Sequence, residues 1–351
     1  MPLQRKPVER QFDSLSQQAL QDVVGSFGMG ALIAAHTLVV EGDRLVLLSD
    51  KSETSRKYVV DTDAGRYFLK EVPWYCDDQQ HRDFSRRVMN FCADRHLPVP
   101  RVLPSSDGGW SVQLGDSHFV LLEYKPGAPY GGGADAHGAG VALGRLHSVT
   151  QHMPLEADVP REDLQTITAA HFSLAIEVRP PSVELEARFA EARAYACDLV
   201  SGVGVSSLEL PIHGDYIPWN LGFDAHRSVV AIHDFDNACV DSPLHDIGEA
   251  LSSFFLVPHD GASAILKPIV AEPSVPRSYI VDFIQGYEEG VGTPFRFEHH
   301  DVALYTVGAW FESVLLSYVR GDQELAPLLV AMTTYPARLL GALTECLGSV
   351  R

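Results

Sequence analysis

The sequence contains no C-x-x-C pair, and its five cysteines, Cys76, Cys92, Cys197, Cys239 and Cys346, are odd in number and scattered. That excludes a disulfide framework and a cysteine-built zinc site, and the thiols read as reduced. No apolar run approaches the roughly 20 residues of a membrane span. The opening stretch, MPLQRKPVERQFDSL, has no apolar core of the kind a secretory signal carries. The expectation is a cytoplasmic protein with no membrane partner. Positive charge is also short: 27 Lys and Arg stand against 46 Asp and Glu, for a net charge of −19. Nucleic-acid binding depends on neutralising phosphates, so a field of that sign excludes it. The sequence also lacks internal repeats and low-complexity segments.

What is present is the composition of a soluble globular protein, 46% hydrophobic and 21% charged, in 351 residues. That length suffices for a substantial core. The acidity is uneven. Residues 1–125 carry 15 Lys/Arg against 17 Asp/Glu, whereas residues 126–351 carry 12 against 29. The stretch richest in glycine and proline, Lys125 to Gly133, lies at the start of the acidic part and marks a natural boundary. An acidic cleft would concentrate a cationic partner, although acidic solvated helices would give the same composition.

The first part reads as a helix followed by strands. Over 14–27, Leu15, Ala19, Leu20, Val23 and Val24 share one helical face, with Ser14 or Ser16 as N-cap and Gly25 or Gly28 as terminator. From residue 37, TLVV, RLVLL, RKYVVDT and GRYFLKEV run apolar or alternate between turn signals. The connection from Ser49 to Ser55 joins two of these strands as a hairpin and has no glycine. Lys70 ends an apolar strand. A helix is expected over 78–95, followed by HLPVP (96–100), then strands WSVQL and HFVLLEY joined at Gly115-Asp116. Beyond the boundary the pattern turns helical: 139–150, a polar connector with Pro154 and Pro160, and 182–200. In the last of these, Leu185, Phe189, Ala192, Ala196 and Leu199 fall on one face. Two further helices follow, YIVDFIQGYEEGVG and ALYTVGAWFESVLLSYV.

The chemistry is concentrated in residues 211–247, PIHGDYIPWNLGFDAHRSVVAIHDFDNACVDSPLHDI. Asp215 is followed five residues later by Asn220, and the apolar VVAIHDF delivers a second acid, Asp234. Phosphoryl transfer needs a carboxylate to accept the proton of an attacking hydroxyl. It also needs an Asn and a later Asp to hold Mg2+ against nucleotide phosphates. Mg2+ takes hard oxygen ligands and few protein contacts, so one amide and one carboxylate suffice. A lone His-Gly-Asp would make an ordinary turn. The Asp215–Asn220 spacing, the following strand and Asp246 are together far more specific.

This stretch resembles the aminoglycoside phosphotransferase and choline kinase superfamily, in which an HGD-x-x-x-x-N loop precedes an IDF strand. His233 stands where that pattern has an apolar residue. The segments 67–72, 96–100 and 120–127 extend the resemblance over about residues 15–345, and the layout is similar to the homoserine kinase type II-like branch. The resemblance implies an α+β, two-lobed protein kinase-like fold, with a small antiparallel-sheet lobe over 1–125 and a larger, mainly helical lobe over 126–351. It implies that Lys70 pairs with the α/β-phosphates and that Ser52 and Ser55 cover the phosphates from the hairpin. Glu123 and Tyr124 would hold adenine through the backbone between the lobes. Asn220 and Asp234 would bind Mg2+, with Asp236 at the metal or just behind it, and Asp215 would be catalytic. Asp246 would bond the backbone of the catalytic loop, and His147 would be structural. One departure concerns the helix Glu that holds the phosphate Lys in this family, because no Glu occurs from 72 to 122. Its position falls near Ser85, between Asp83 and Arg86, so either Asp83 substitutes with a shorter reach or Lys70 is positioned otherwise.

The expected activity is transfer of the γ-phosphoryl of ATP, or GTP, to a hydroxyl. Only eleven residues separate Asp234 from Asp246 and no Ala-Pro-Glu follows, which leaves no room for a protein-kinase activation loop. That favours a small-molecule acceptor, and the acidic second part favours a cationic one, an aminoglycoside-like or amine-bearing metabolite. Glu288 and Glu289 are candidates to line its site. The alternatives are a Ser or Thr of a natural-product precursor peptide, and a catalytically inactive nucleotide-binding protein. The intact Asp215, Asn220 and Asp234 speak against the second.

Overall fold

A computed structural model describes residues 15–37, 56–72, 79–156, 158–204, 208–256, 274–293, 296–319, 321 and 323–349. Ser16 caps the first helix, α1 (Gln17–Ser26), its Oγ accepting the Ala19 N–H at 3.1 Å. Leu20, Val23 and Val24 on its inner face pack with Tyr58, Val60, Leu69, Phe119 and Leu121 of a sheet into a small core. The sheet consists of β1 (Leu32–Thr37), β2 (Lys57–Thr62), β3 (Gly65–Glu71), β4 (Val102–Leu103), β5 (Val112–Leu114) and β6 (Ser117–Glu123). Its order is β1-β2-β3-β6-β4, with β5 also paired to β6, and every pairing is antiparallel. Of the TLVV stretch only Thr37, the last residue of β1, is described, and the rest lies outside the described residues. RLVLL and the connection carrying Ser52 and Ser55 lie outside the described residues. The register of β2 on β3 sets Lys57 opposite Lys70, which brings two ammonium-bearing side chains to one face.

Helix α2 (Gln79–Asp94) presents Phe84, Val88, Met89 and Cys92 to a second, larger core, which it shares with the helices that follow. Those helices are α3 (Ala136–Thr150), α4 (Leu164–Val178), α5 (Val183–Val200), α6 (Leu244–Leu251), α7 (Arg277–Val291), α8 (His299–Val319), α9 (Leu325–Thr334) and α10 (Pro336–Leu347). Helix α4 occupies the stretch expected to be a polar connector. Its N-cap Asp163 accepts the Thr166 N–H at 2.9 Å, and Leu164, Thr168, Phe172 and Ala175 face inward. Helices α3 and α7 cross at backbone distance: a Cβ on Gly140 would sit 2.0 Å from the Phe283 carbonyl, and one on Gly286 2.2 Å from that of His137. Among the described residues α8 alone is long and apolar enough to cross a membrane. Its Val302, Trp310, Phe311, Val314 and Leu315 are buried against other helices, so its apolarity is that of a core helix.

Two short antiparallel sheets interrupt the helices and shape residues 211–247: β7 (Leu210–Ile212) with β10 (Cys239–Asp241), and β8 (Leu221–Phe223) with β9 (Val229–Ile232). Ala128 and Phe223 exchange backbone hydrogen bonds at 2.8 Å in each direction, which ties the β8–β9 hairpin to the segment after β6. The α+β class expected from the sequence, antiparallel sheet first and helices after, is the one found.

Candidate active site

The loop from His213 to Asn220 leaves β7 through Gly214, at φ +74°. A Cβ there would lie 2.2 Å from the Asn237 carbonyl, so both the conformation and the space call for glycine. Asp246, in the first turn of α6 and fully buried, clamps the loop. Its Oδ2 accepts the His213 N–H at 2.8 Å and meets His147 Nε2 at 2.9 Å, while its Oδ1 accepts the Gly214 N–H at 2.8 Å. Burial opposes the charge of Asp246, but the bonds from His147 and the loop outweigh it and hold the carboxyl below the usual range. The other ring nitrogen of His147 meets the Tyr287 hydroxyl at 2.9 Å. The LGRLH and FIQGY segments therefore meet as a brace for the loop. His213 accepts the Asp215 N–H on Nδ1 at 3.2 Å, so its proton lies on Nε2 and is donated to the His233 carbonyl at 2.8 Å.

The loop ends in a 3-10 turn, Pro218–Asn220. Asn220 Nδ2 donates to the Asp215 carbonyl at 2.9 Å and to Asp215 Oδ2 at 2.8 Å. With its N–H groups so engaged, Asn220 has its amide oxygen to offer a ligand. Burial, and then the nearby charge of Asp234, push the Asp215 carboxyl up to about 7 despite the bond from Asn220. A carboxyl near neutrality is suited to accept a proton in a reaction.

After β9 the chain enters the left-handed region at Asp234 (φ +66°, ψ +62°), a conformation that non-glycine residues adopt rarely and often at functional sites. Lys70 Nζ lies 2.5 Å from Asp234 Oδ1 and 2.6 Å from Asp236 Oδ2, and Lys57 Nζ lies 3.2 Å from Asp234 Oδ2. Burial works against the Lys70 ammonium, but the two acids hold it charged and raise its pKa. Burial likewise opposes ionisation of Asp234, and Lys57 with Lys70 prevails, keeping that carboxyl well below the usual range. For Asp236, burial prevails over Lys70 and the carboxyl is pushed up.

Asp83 does not replace the absent helix Glu, because it pairs with Arg86 on its own helix at 3.1 Å. Lys70 is positioned by the acids of the 234–236 turn instead. Helix α2 grips the backbone of the same turn: Ser85 Oγ donates to the Phe235 carbonyl at 2.5 Å, and His81 Nε2 meets that of Asp236 at 2.7 Å. Lys57 is the site residue that the sequence reading missed. Counting outward equally along β2 and β3 from the turn at Asp63-Ala64 would have found it opposite Lys70.

The structure thus gathers Lys70, Asp215, Asn220 and Asp234. Glu123 and Tyr124 lie at the end of β6, outside that bonded cluster. The Glu123 N–H donates to the Arg101 carbonyl at 2.9 Å. Its carboxylate accepts the Arg101 N–H at 3.2 Å and lines a cleft of about 510 Å³ with His96, Lys125 and Arg145. The Tyr124 ring lies 5.6 Å from the Arg66 guanidinium. Glu288 and Glu289 sit on α7, where Glu289 meets His137 at 3.5 Å. The charges of Asp234 and Glu312 act on Asp215, and burial together with Asp215 and Glu312 pushes the Glu249 carboxyl well up.

Among the described residues no three His, Cys, Asp or Glu side chains converge on a point as a metal site. The donors here are of another kind: the amide oxygen of Asn220, which bonds Asp215, and the carboxylate of Asp234, whose charge acts on Asp215, with Asp236 sharing its bond to Lys70. Hard oxygens in that small number fit a Mg2+ that completes its shell with phosphate and water oxygens. The two lysines now against Asp234 mark a point where positive charge is favoured.

The model of the phosphotransferase enzyme family matches residues 45–287. A homoserine kinase of Caulobacter vibrioides (strain NA1000 / CB15N) is 22% identical over 251 residues, 69% of this chain and 72% of that protein. Among solved structures, a microcompartment-associated aminopropanol kinase superposes with a TM-score of 0.61 at 18% identity, over 96% of this chain and 99% of that one. An amicoumacin kinase in complex with AMP-PNP, Ca2+ and Ami gives 0.60 at 14% identity, over 88% and 90%. The shared architecture is the kinase-like α+β fold.

Proposed function

The chain belongs to the phosphotransferase enzyme family, and from that premise we propose that it transfers the γ-phosphoryl group of ATP to a hydroxyl of a small, amine-bearing molecule. The observation that carries the reading is Asp215, bonded to Asn220 at 2.8 Å and set beside Asp234, which two lysines face. The nucleotide lies between a sheet lobe (1–125) and a helical lobe (126–351). Lys70 binds the α/β-phosphates, with Lys57 beside it. Asn220 and Asp234 would hold Mg2+, which neutralises phosphate charge. Asp215 orients the acceptor hydroxyl and takes its proton as the new P–O bond forms. Asp236 keeps Lys70 in place. The reaction is then mostly positioning and charge stabilisation, and no covalent enzyme intermediate is needed.

The negative charge of Glu312, which His171 holds ionised and which acts on Asp215, supports an acceptor that carries an ammonium group. Homoserine and aminopropanol, named for two similar kinases, each combine an amine with a hydroxyl. The test is a screen with MgATP of amino alcohols, hydroxy amino acids, amino sugars and Ser/Thr peptides, read by 31P NMR. A phosphomonoester on an amine-bearing small molecule is the expected product. Phosphorylation of peptides alone would replace this acceptor class with the peptide one.

A further inference from the structure

His233 is the one polar side chain at the end of β9 that neither the proposed chemistry nor the packing uses. Its backbone is engaged on both sides, the N–H donating to the Asn220 carbonyl at 2.8 Å and the carbonyl accepting from His213 Nε2 at 2.8 Å. Its ring is not: among the described residues neither ring nitrogen takes part in a hydrogen bond. Ile232, the last residue of β9, is fully buried in the large core, whereas His233 just beyond it is part-exposed. There the charges around it are those of Asp234, Lys57, His213 and Lys70. The ring is part-exposed and bonds no protein group among the described residues, so its N–H is open to a hydrogen-bonding ligand.

The place of His233 along the cleft says which part of a nucleotide it meets. The β8–β9 hairpin is tied at Phe223 to Ala128, next to the Glu123–Tyr124 segment where the base is expected. At its other end the hairpin runs into Asp234, beneath the two lysines that mark the phosphates. His233 stands between them, so it faces the edge of a purine that looks back toward its own phosphates. That edge carries N7, a bare acceptor. In every protonation state the ring keeps at least one N–H to donate.

We propose that His233 is a nucleotide-recognition residue whose ring N–H donates to N7 of the purine, at a position where an apolar residue would give only contact. The inference rests on the proposed function in taking a purine nucleoside triphosphate as the ligand, with its phosphates at the two lysines and its base beside Glu123 and Tyr124. Calorimetric titration of the full chain with MgATP and with Mg-7-deaza-ATP, in which a C–H replaces N7, tests it without any acceptor. The wild type binds the 7-deaza analogue about 3- to 10-fold more weakly than ATP, the span of one neutral hydrogen bond. His233→Ile binds ATP more weakly by a similar factor and no longer distinguishes the two nucleotides, and His233→Gln, which keeps an N–H, restores part of the preference. Equal binding of both nucleotides by the wild type overturns the inference and leaves the phosphotransfer reading standing. Undiminished discrimination by His233→Ile overturns it as well. A chain with no affinity for MgATP refutes that reading and this inference together.

Discussion

Replacing Asp246 by Asn tests how the catalytic loop is held, because the change keeps shape and removes only charge and one acceptor. The carboxylate receives three donors: the His213 N–H and His147 Nε2 on Oδ2, and the Gly214 N–H on Oδ1. An Asn that keeps its oxygen at the Oδ2 position turns its NH2 toward the Gly214 N–H, donor against donor, in a fully buried place. One bond to a charged group, at about 1.5–3 kcal/mol, is lost outright and two others weaken. The expected loss of stability is about 3 kcal/mol, or roughly 6–12 °C in Tm. The folded-state pKa of Asp246 is depressed. Its contribution is therefore present above the unfolded value near 4 and is lost as pH falls through the folded value. Urea unfolding followed by tryptophan fluorescence should show the full gap between wild type and variant at pH 7, and a narrowing gap below about pH 4. A variant within 0.5 kcal/mol of wild type at pH 7 would refute the clamp. So would a gap that widens in acid.

Three further outcomes are expected. Asp234→Ala abolishes Mg2+-dependent nucleotide binding in calorimetric titration, whereas Asp236→Ala, which leaves Lys70 its bond to Asp234, is milder; the reverse order would reassign the metal ligand. Burial opposes protonation of His245, but the Asp241 carboxylate 2.9 Å away raises its pKa to about 10. Its stabilising effect is complete below the unfolded value near 6.5 and disappears as pH rises through 10, by at most about 5 kcal/mol, and Asp241→Asn flattens that slope in chemical unfolding. For the acceptor, raising ionic strength from about 0.05 M to 0.5 M shortens the Debye length from roughly 14 Å to 4 Å. KM then rises several-fold with kcat little changed, and Glu312→Gln mimics part of the rise. An acceptor KM indifferent to salt would remove the case for a cationic acceptor.

The parts legible in the sequence are those set by local rules. Ser16 as an N-cap, the hairpins at 63–64 and 115–116, and the inward face of 183–200 all follow from capping, turn chemistry and periodicity. The Asp215–Asn220 spacing was readable because the loop is short and both side chains come from it. What the sequence could not show is contact between distant segments. Lys57 reaches Asp234 across 177 positions, and Ser85 reaches the Phe235 carbonyl across 150. A helix without Glu reads as a missing partner for Lys70, yet α2 grips the backbone of the 234–236 turn, and no residue type encodes a backbone acceptor. Helix α4 was missed for a different reason. Its Leu164, Thr168, Phe172 and Ala175 stripe is sound, but Thr and Ala weaken its apolar signal beside two nearby prolines. Glu249 of α6 and Glu312 of α8 each interact with the charge of Asp215, and only folding brings those helices together.

The central claim is that Asp215 takes the proton of an acceptor hydroxyl while other residues hold the nucleotide. The most direct measurement compares wild type and Asp215→Asn for both MgATP affinity and acceptor-dependent kcat, using whichever acceptor the screen returns. Asn keeps the size of the side chain and an oxygen for Asn220 Nδ2 to meet, but it has no carboxylate to accept a proton. The account predicts a MgATP Kd within about threefold of wild type and a kcat lowered by roughly 10²–10⁴, the scale of a lost general base. Full turnover in the Asp215→Asn variant would contradict it.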